Sequence, residues 1–126
     1  MAKLLRYIEL KTGYEDNGPA WIGYVTTSRT GRTVYFNGHA LGKGSSWEGG
    51  NYSENGNSYW VSGVKKNGKD RHWAGSGKVL IEAAAVAEYL KTIGATSLDK
   101  SRLAVTHSIV QTDIEKFERL ANAGLR

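Results

Sequence analysis

Cysteine is absent from this chain of 126 residues. That excludes a disulfide framework, thiolate metal sites and a cysteine nucleophile. Proline occurs once, at Pro19, and histidine three times, at His39, His72 and His107. No two histidines have the i, i+4 spacing that places a metal-binding pair on one helix face, so no metal and no cofactor are expected. No apolar run approaches the ~18 residues that a membrane-spanning helix needs. The first residues, MAKLLRYIELK, are interrupted by charge too early for a signal peptide. Together these features predict a soluble cytoplasmic protein with no membrane partner. No internal repeat is visible, and the length fits one domain.

Glycine is plentiful at 16 residues, which favours a turn-rich β fold over a helical bundle. KLLRYIELK (3–11) reads as a strand, followed by the turn formers GYEDNGP (13–19). AWIGYVTTS (20–28) alternates Ile22, Tyr24 and Thr26 with Trp21, Gly23, Val25 and Thr27, and reads as a second strand. RTGR (29–32) is a tight turn, and TVYFNG (33–38) returns to complete a hairpin. A short strand is expected at His39 to Leu41, then a long loop to 57. SYWVSGV (58–64) is a strand. Asn67-Gly68 in KKNGKD (65–70) predicts a two-residue hairpin turn leading into RHW (71–73). After AGSG, KVLI (78–81) is again strand-like. The period then changes. Val86, Tyr89, Leu90 and Ile93 fall at i, i+3, i+4 and i+7, and Gly94 supplies a stop, so a helix is predicted at 82–93. SRLAVTHSIV (101–110) suggests a further strand. Thr112 and Glu115 form a capping box for a last helix, DIEKFERLANAG, with Ile114, Phe117, Leu120 and Ala121 as its apolar stripe. The expected class is α+β. A strongly bent antiparallel sheet or small β-barrel forms a β-rich part over 1–94, and a strand-plus-helix appendage at 95–126 packs on it.

Charge is unevenly placed. The chain carries a net +5, with an isoelectric point near 9.5. Residues 79–126 balance, whereas VKKNGKDRHWAGSGK (64–78) holds Lys65, Lys66, Lys69, Arg71 and Lys78 against one acid, Asp70. That asymmetry points to a polyanionic partner.

The run YWVSGVKKNGKDRHWAGSGK, with AWIGYVTTSRTGRTVYFNG and Gly50-Asn51-Tyr52 before it, resembles the signature of a family of small bacterial proteins. The resemblance covers roughly residues 4–92. Members are often called 1-deoxy-D-xylulose-5-phosphate synthase. A thiamine-dependent synthase is a large multidomain enzyme, and 126 residues without a diphosphate–metal motif cannot be one. In the family pattern an acidic, threonine-containing loop joins the Asn-Tyr and Tyr-Trp pairs. Here that loop is SENGNS (53–58), with only Glu54 acidic. The resemblance implies a small cytoplasmic β-rich domain and no established activity.

Three classes of function follow from the residues. AGSGK (74–78) is out of register for a nucleotide-binding loop, since position 72 is His, Val79 follows the lysine and a strand comes next. Nucleic acid, or another phosphorylated ligand, fits better: Lys65, Lys66, Lys69, Arg71 and Lys78 would neutralise phosphates while Trp47, Tyr52 and Trp73 stack on bases. Trp60, in the middle of a strand, is expected to pack inward. The second class is a small phosphate-directed hydrolase, nuclease-like, in which Asp70 orients His72 as general base and Arg71 stabilises phosphoryl charge. The third is protein–protein interaction, including a homodimer through the helix at 113–123.

Overall fold

The computed structural model describes residues 3–11, 19–43, 51–54, 57–68, 70 and 78–122. They form eight strands and two helices: β1 (Lys3–Lys11), β2 (Ala20–Thr27), β3 (Thr33–Phe36), β4 (His39–Lys43), β5 (Asn51–Glu54), β6 (Asn57–Gly63), β7 (Val79–Glu82), α1 (Val86–Ile93), β8 (Leu103–Thr106) and α2 (Ile114–Asn122). β1 to β6 follow one another as an antiparallel meander. β6 returns to pair with β1, so the six strands close into a barrel. The bent antiparallel sheet expected from the sequence is therefore a closed ring.

β2 is the branch point. Its last residues, Thr26 and Thr27, pair with Tyr35 and Val34 of β3. Its first half is left free on that side, and β7 takes it in parallel, Trp21 opposite Leu80 and Ile22 opposite Ile81. β8 then adds in parallel to β7. A parallel addition needs a long crossover. β7 enters only after the whole meander, and the connection from β7 to β8 contains α1.

Alternation along the strands builds two cores. Ile8, Val25, Val34, Phe36, Leu41, Tyr59 and Val61 fill the barrel, and Trp21 meets Phe36 edge-on at 6.0 Å. Leu5, Tyr7, Ala20 and Ile22 point out of it, and α1, β7 and β8 cover them with Tyr89, Ile81, Val79 and Leu103. Both faces of β1 and β2 are thus buried, which is why KLLRYIELK and AWIGYVTT lack a clean apolar–polar alternation. Trp60 is half-buried against this outer core. Glu9 is buried as well. It is tolerated because the Tyr7 hydroxyl and the Lys11 ammonium (3.0 Å) both donate to its carboxylate.

The turn at Asn67-Gly68 differs from the sequence expectation. A two-residue hairpin of that type needs positive φ at both residues, but only Gly68 has it (φ 72°). The Gly68 amide instead bonds the Lys65 carbonyl at 3.0 Å, closing a turn over 65–68. β6 pairs with β1 and β5, and β7 pairs with β2 and β8, while the arm expected at 71–73 lies outside the described residues. The two-residue turn with both φ positive is Asn37-Gly38 (φ 50° and 80°), which joins β3 to β4. The stretch expected as one loop to residue 57 contains β5, and β4 runs on to Lys43. The helix expected from 82 begins later. Glu82 closes β7, Ala83–Ala85 make one 3-10 turn, and α1 follows, ended by Gly94 in the left-handed region as expected. The strand expected over 101–110 shortens to β8.

No helix among the described residues is long and apolar enough to cross a membrane.

Candidate functional site

Lys65 and Lys66 occupy the turn that follows β6, and both are exposed. Asp70 fixes this turn: its Oδ1 accepts the Lys65 amide at 2.7 Å. A short polar side chain closing a turn onto a nearby amide is a common use of aspartate. The turn rests on α1. A Cβ placed at Gly68 would lie 3.4 Å from the Tyr89 hydroxyl and 3.8 Å from Ile93. Tyr89 itself is buried.

The electrostatics of Asp70 connect this turn to the far side of the crossover. Burial pushes the Asp70 carboxyl above the usual carboxylate range, while the Lys65 amide and the charges of Lys65 and Arg102 pull it down. Its second oxygen, Oδ2, is buried without a hydrogen-bond partner among the described residues. Burial also raises the Tyr89 hydroxyl, with the Asp70 charge adding to the rise and Arg102 opposing it. Asp70, Tyr89 and Arg102 thus share one neighbourhood.

Arg102 reaches it through the parallel ladder. Val79 lies opposite Leu103, and the Val79 amide bonds the Arg102 carbonyl at 2.9 Å. Lys78 and Arg102 therefore enter neighbouring strands side by side, and both are exposed. Asp99 shapes the approach to β8. Its carboxylate accepts from the Ser101 amide (3.0 Å) and hydroxyl (2.5 Å), and these bonds hold its proton affinity below the usual carboxylate range.

Of the residues singled out in the sequence, Lys65, Lys66 and Asp70 belong to the turn after β6, which the charge of Asp70 links to Arg102, and Lys78 enters β7 beside Arg102. Tyr52 is elsewhere. It sits opposite Tyr59 in β5, its ring packs on the inner core, and its hydroxyl donates to the Gly31 carbonyl at 3.3 Å. Lys65 lies six positions beyond Tyr59, about 20 Å of extended chain. Trp47, Lys69, Arg71, His72 and Trp73 lie outside the described residues, so the expected contact of Asp70 with His72 does too. Arg102 was missed. It belongs to a segment of balanced charge, and only the parallel pairing of β7 with β8 brings it to the basic stretch.

Two of the three histidines are described. His39 Nδ1 lies 2.8 Å from Glu54 Oε1, while Glu54 Oε2 accepts the Ala40 amide at 3.1 Å. His107 is exposed just beyond β8. No cluster of three or more metal-ligating side chains occurs among the described residues.

No family model, curated protein or solved structure matches the chain. Its class is set by its own geometry: a closed six-stranded antiparallel barrel whose second strand also carries a parallel two-strand extension.

Proposed function

We propose that the protein binds nucleic acid, or another phosphorylated polyanion, through the basic end built by 65–78 and the start of β8. The observation that supports this is the exposure of Lys65 and Lys66 on the turn at 65–68 and of Lys78 and Arg102 where the β7–β8 ladder begins. Exposed cations fixed on rigid elements neutralise phosphates at little ordering cost. Lys69, Arg71 and Trp73 belong to the same stretch of chain and extend the reading to further phosphates and a stacked base. Kinship with the small bacterial family that the 59–78 signature resembles is part of this reading and contributes no activity of its own.

The test is a salt titration. Binding of a labelled single-stranded oligonucleotide is followed by anisotropy over a range of salt concentrations. Four contacts predict a log–log slope of about −3, from roughly −0.7 per phosphate on a single strand. Replacing Lys65 and Lys66 together by alanine is expected to flatten the slope by about 1.4, and Arg102→Ala to flatten it by about half as much. Absence of binding to single- or double-stranded DNA or RNA at low salt overturns the proposal, as does a slope that the double variant leaves unchanged.

A further inference from the structure

The other end of β7 holds a different feature. A cleft of about 210 Å³ opens between the outer surface of β2 and β3 and the chain that leads into α2. That chain is held across the barrel by two bonds to the β3–β4 turn: the Val110 amide donates to Asn37 Oδ1 at 3.0 Å, and the Gly38 amide donates to Thr112 Oγ1 at 2.8 Å.

Three polar groups line the cleft with bonding capacity to spare. The first is Glu82. Its Oε1 accepts the Tyr24 amide at 2.9 Å, which fixes the carboxylate, while Oε2 takes no hydrogen bond among the described residues. Gly23 makes this approach possible, because a Cβ there would lie 2.9 Å from Glu82 Oε1. The second is Tyr35, only 4% exposed, whose hydroxyl likewise has no hydrogen bond among the described residues. The third is Lys3, exposed at the rim and without an ion pair among the described residues. Ile109 and Val110 give the cleft an apolar wall.

These groups decide the kind of ligand. The cleft presents one fixed anion and one cation that do not pair with each other. Lys3 pairs across β1–β2 with Thr26, while Glu82 is held from the other side of β2 by the Tyr24 amide, so the two charges flank β2. At about 210 Å³ the cleft is smaller than the roughly 300 Å³ at which drug-sized sites begin, which suits a ligand of a few heavy atoms. A molecule of one charge leaves either Glu82 or Lys3 unanswered.

We propose that this cleft binds a free α-amino acid with a small aliphatic side chain. The ligand ammonium donates to Glu82 Oε2 and the Tyr35 hydroxyl, its carboxylate meets Lys3, and its side chain lies on Ile109 and Val110. This site is separate from the basic end and does not depend on the function proposed there.

The experiment is an NMR titration of the full chain with leucine. Saturable amide shifts are expected at Thr26, Gln111 and Thr112, with a Kd of about 1 mM, in keeping with a ligand this small. Isobutylamine and isovalerate, which carry the apolar body with one charge each, should bind about tenfold more weakly than leucine. Glu82→Gln keeps an acceptor for the Tyr24 amide and should weaken leucine about tenfold; Lys3→Met, at the rim, should weaken it several-fold. The proposal is overturned by the absence of saturable shifts up to about 20 mM leucine, twentyfold above the expected Kd. It is overturned equally by one-charge analogues that match leucine. Should Glu82→Gln fail to fold, the analogues and Lys3→Met decide: equal affinity for Lys3→Met and the native chain counts against the site.

Discussion

Asp70 shows what a single side chain does in this fold. The sequence places it two residues from His72 in an extended strand and assigns it to orient that imidazole. The described geometry gives it one duty, capping the Lys65 amide from a half-buried position, while its expected contact with His72 lies outside the described residues. A turn over 65–68 is what brings that amide to Asp70. Its proton affinity has a consequence for stability. Burial raises the folded-state value above the unfolded one, so the contribution is fully present below about pH 4 and is lost as pH climbs through the raised value. Asp70→Asn keeps an acceptor for Lys65 and removes the titration. Urea unfolding should therefore give matching midpoints for the two proteins below about pH 4, with the variant the more stable at pH 7. A native chain that stays ahead of the variant at pH 7 would contradict this account. Glu9 teaches the same lesson from the other side. Its burial was not legible: the strand period alone puts its donors, Tyr7 and Lys11, on its face of β1, but only tertiary packing covers that face.

At the scale of elements, what could be read depended on how local the signal was. The β2–β3 hairpin and the α1 helix with its Gly94 stop are set by residues within a few positions of one another, and both follow the sequence reading apart from the later start of α1. Asn-Gly was read less well, because the pair occurs more than once. Asn37-Gly38 forms the turn with both φ positive, while Asn67-Gly68 does not. Asn55-Gly56, between β5 and β6, lies outside the described residues. What separates these cases is whether a strand on each side has a partner, and that is non-local. β5 was hidden for the same reason: NYSE is a weak strand former, and it is ordered by pairing with β4 and β6. Asn37 carries two roles that can be separated. Asn37→Ala places an alanine in the left-handed region and removes the acceptor for the Val110 amide, and should cost about 2–3 kcal/mol. Asn37→Gly restores the backbone freedom and should recover roughly 1 kcal/mol of that. Thermal or urea unfolding of the three proteins measures both steps, and equal losses for the two variants would refute the division.

At the scale of the molecule, β2 serves two structures at once. Its outer neighbour is β3 at one end and β7 at the other. Neither the closure of the ring nor the parallel extension could be read from the chain, since β1 meets β6 across some fifty residues and β7 meets β2 across nearly sixty. The same arrangement sorts the surface. β7 starts among the exposed cations at one end and finishes at Glu82, beside the cleft, at the other, so one short strand ties two chemically unlike regions together.

The order in which the chain is made gives this branch point a further meaning. Everything needed to close the ring, residues 3–63, precedes the segments that cover its outer face. Until β7, α1 and β8 have been synthesised, Leu5, Tyr7, Ala20 and Ile22 have no cover. Some forty residues separate Gly63 from Leu103, an interval of about 2–8 seconds at ordinary elongation rates. A chain ended after Val64 should reproduce that moment, binding a hydrophobic dye strongly and sedimenting as aggregates, while the full chain does neither. If the shortened chain stays monomeric and dye-free, the ring does not expose its outer face. Otherwise, this small protein passes through a sticky stage each time it is made, and holdase chaperones at the ribosome would meet it there.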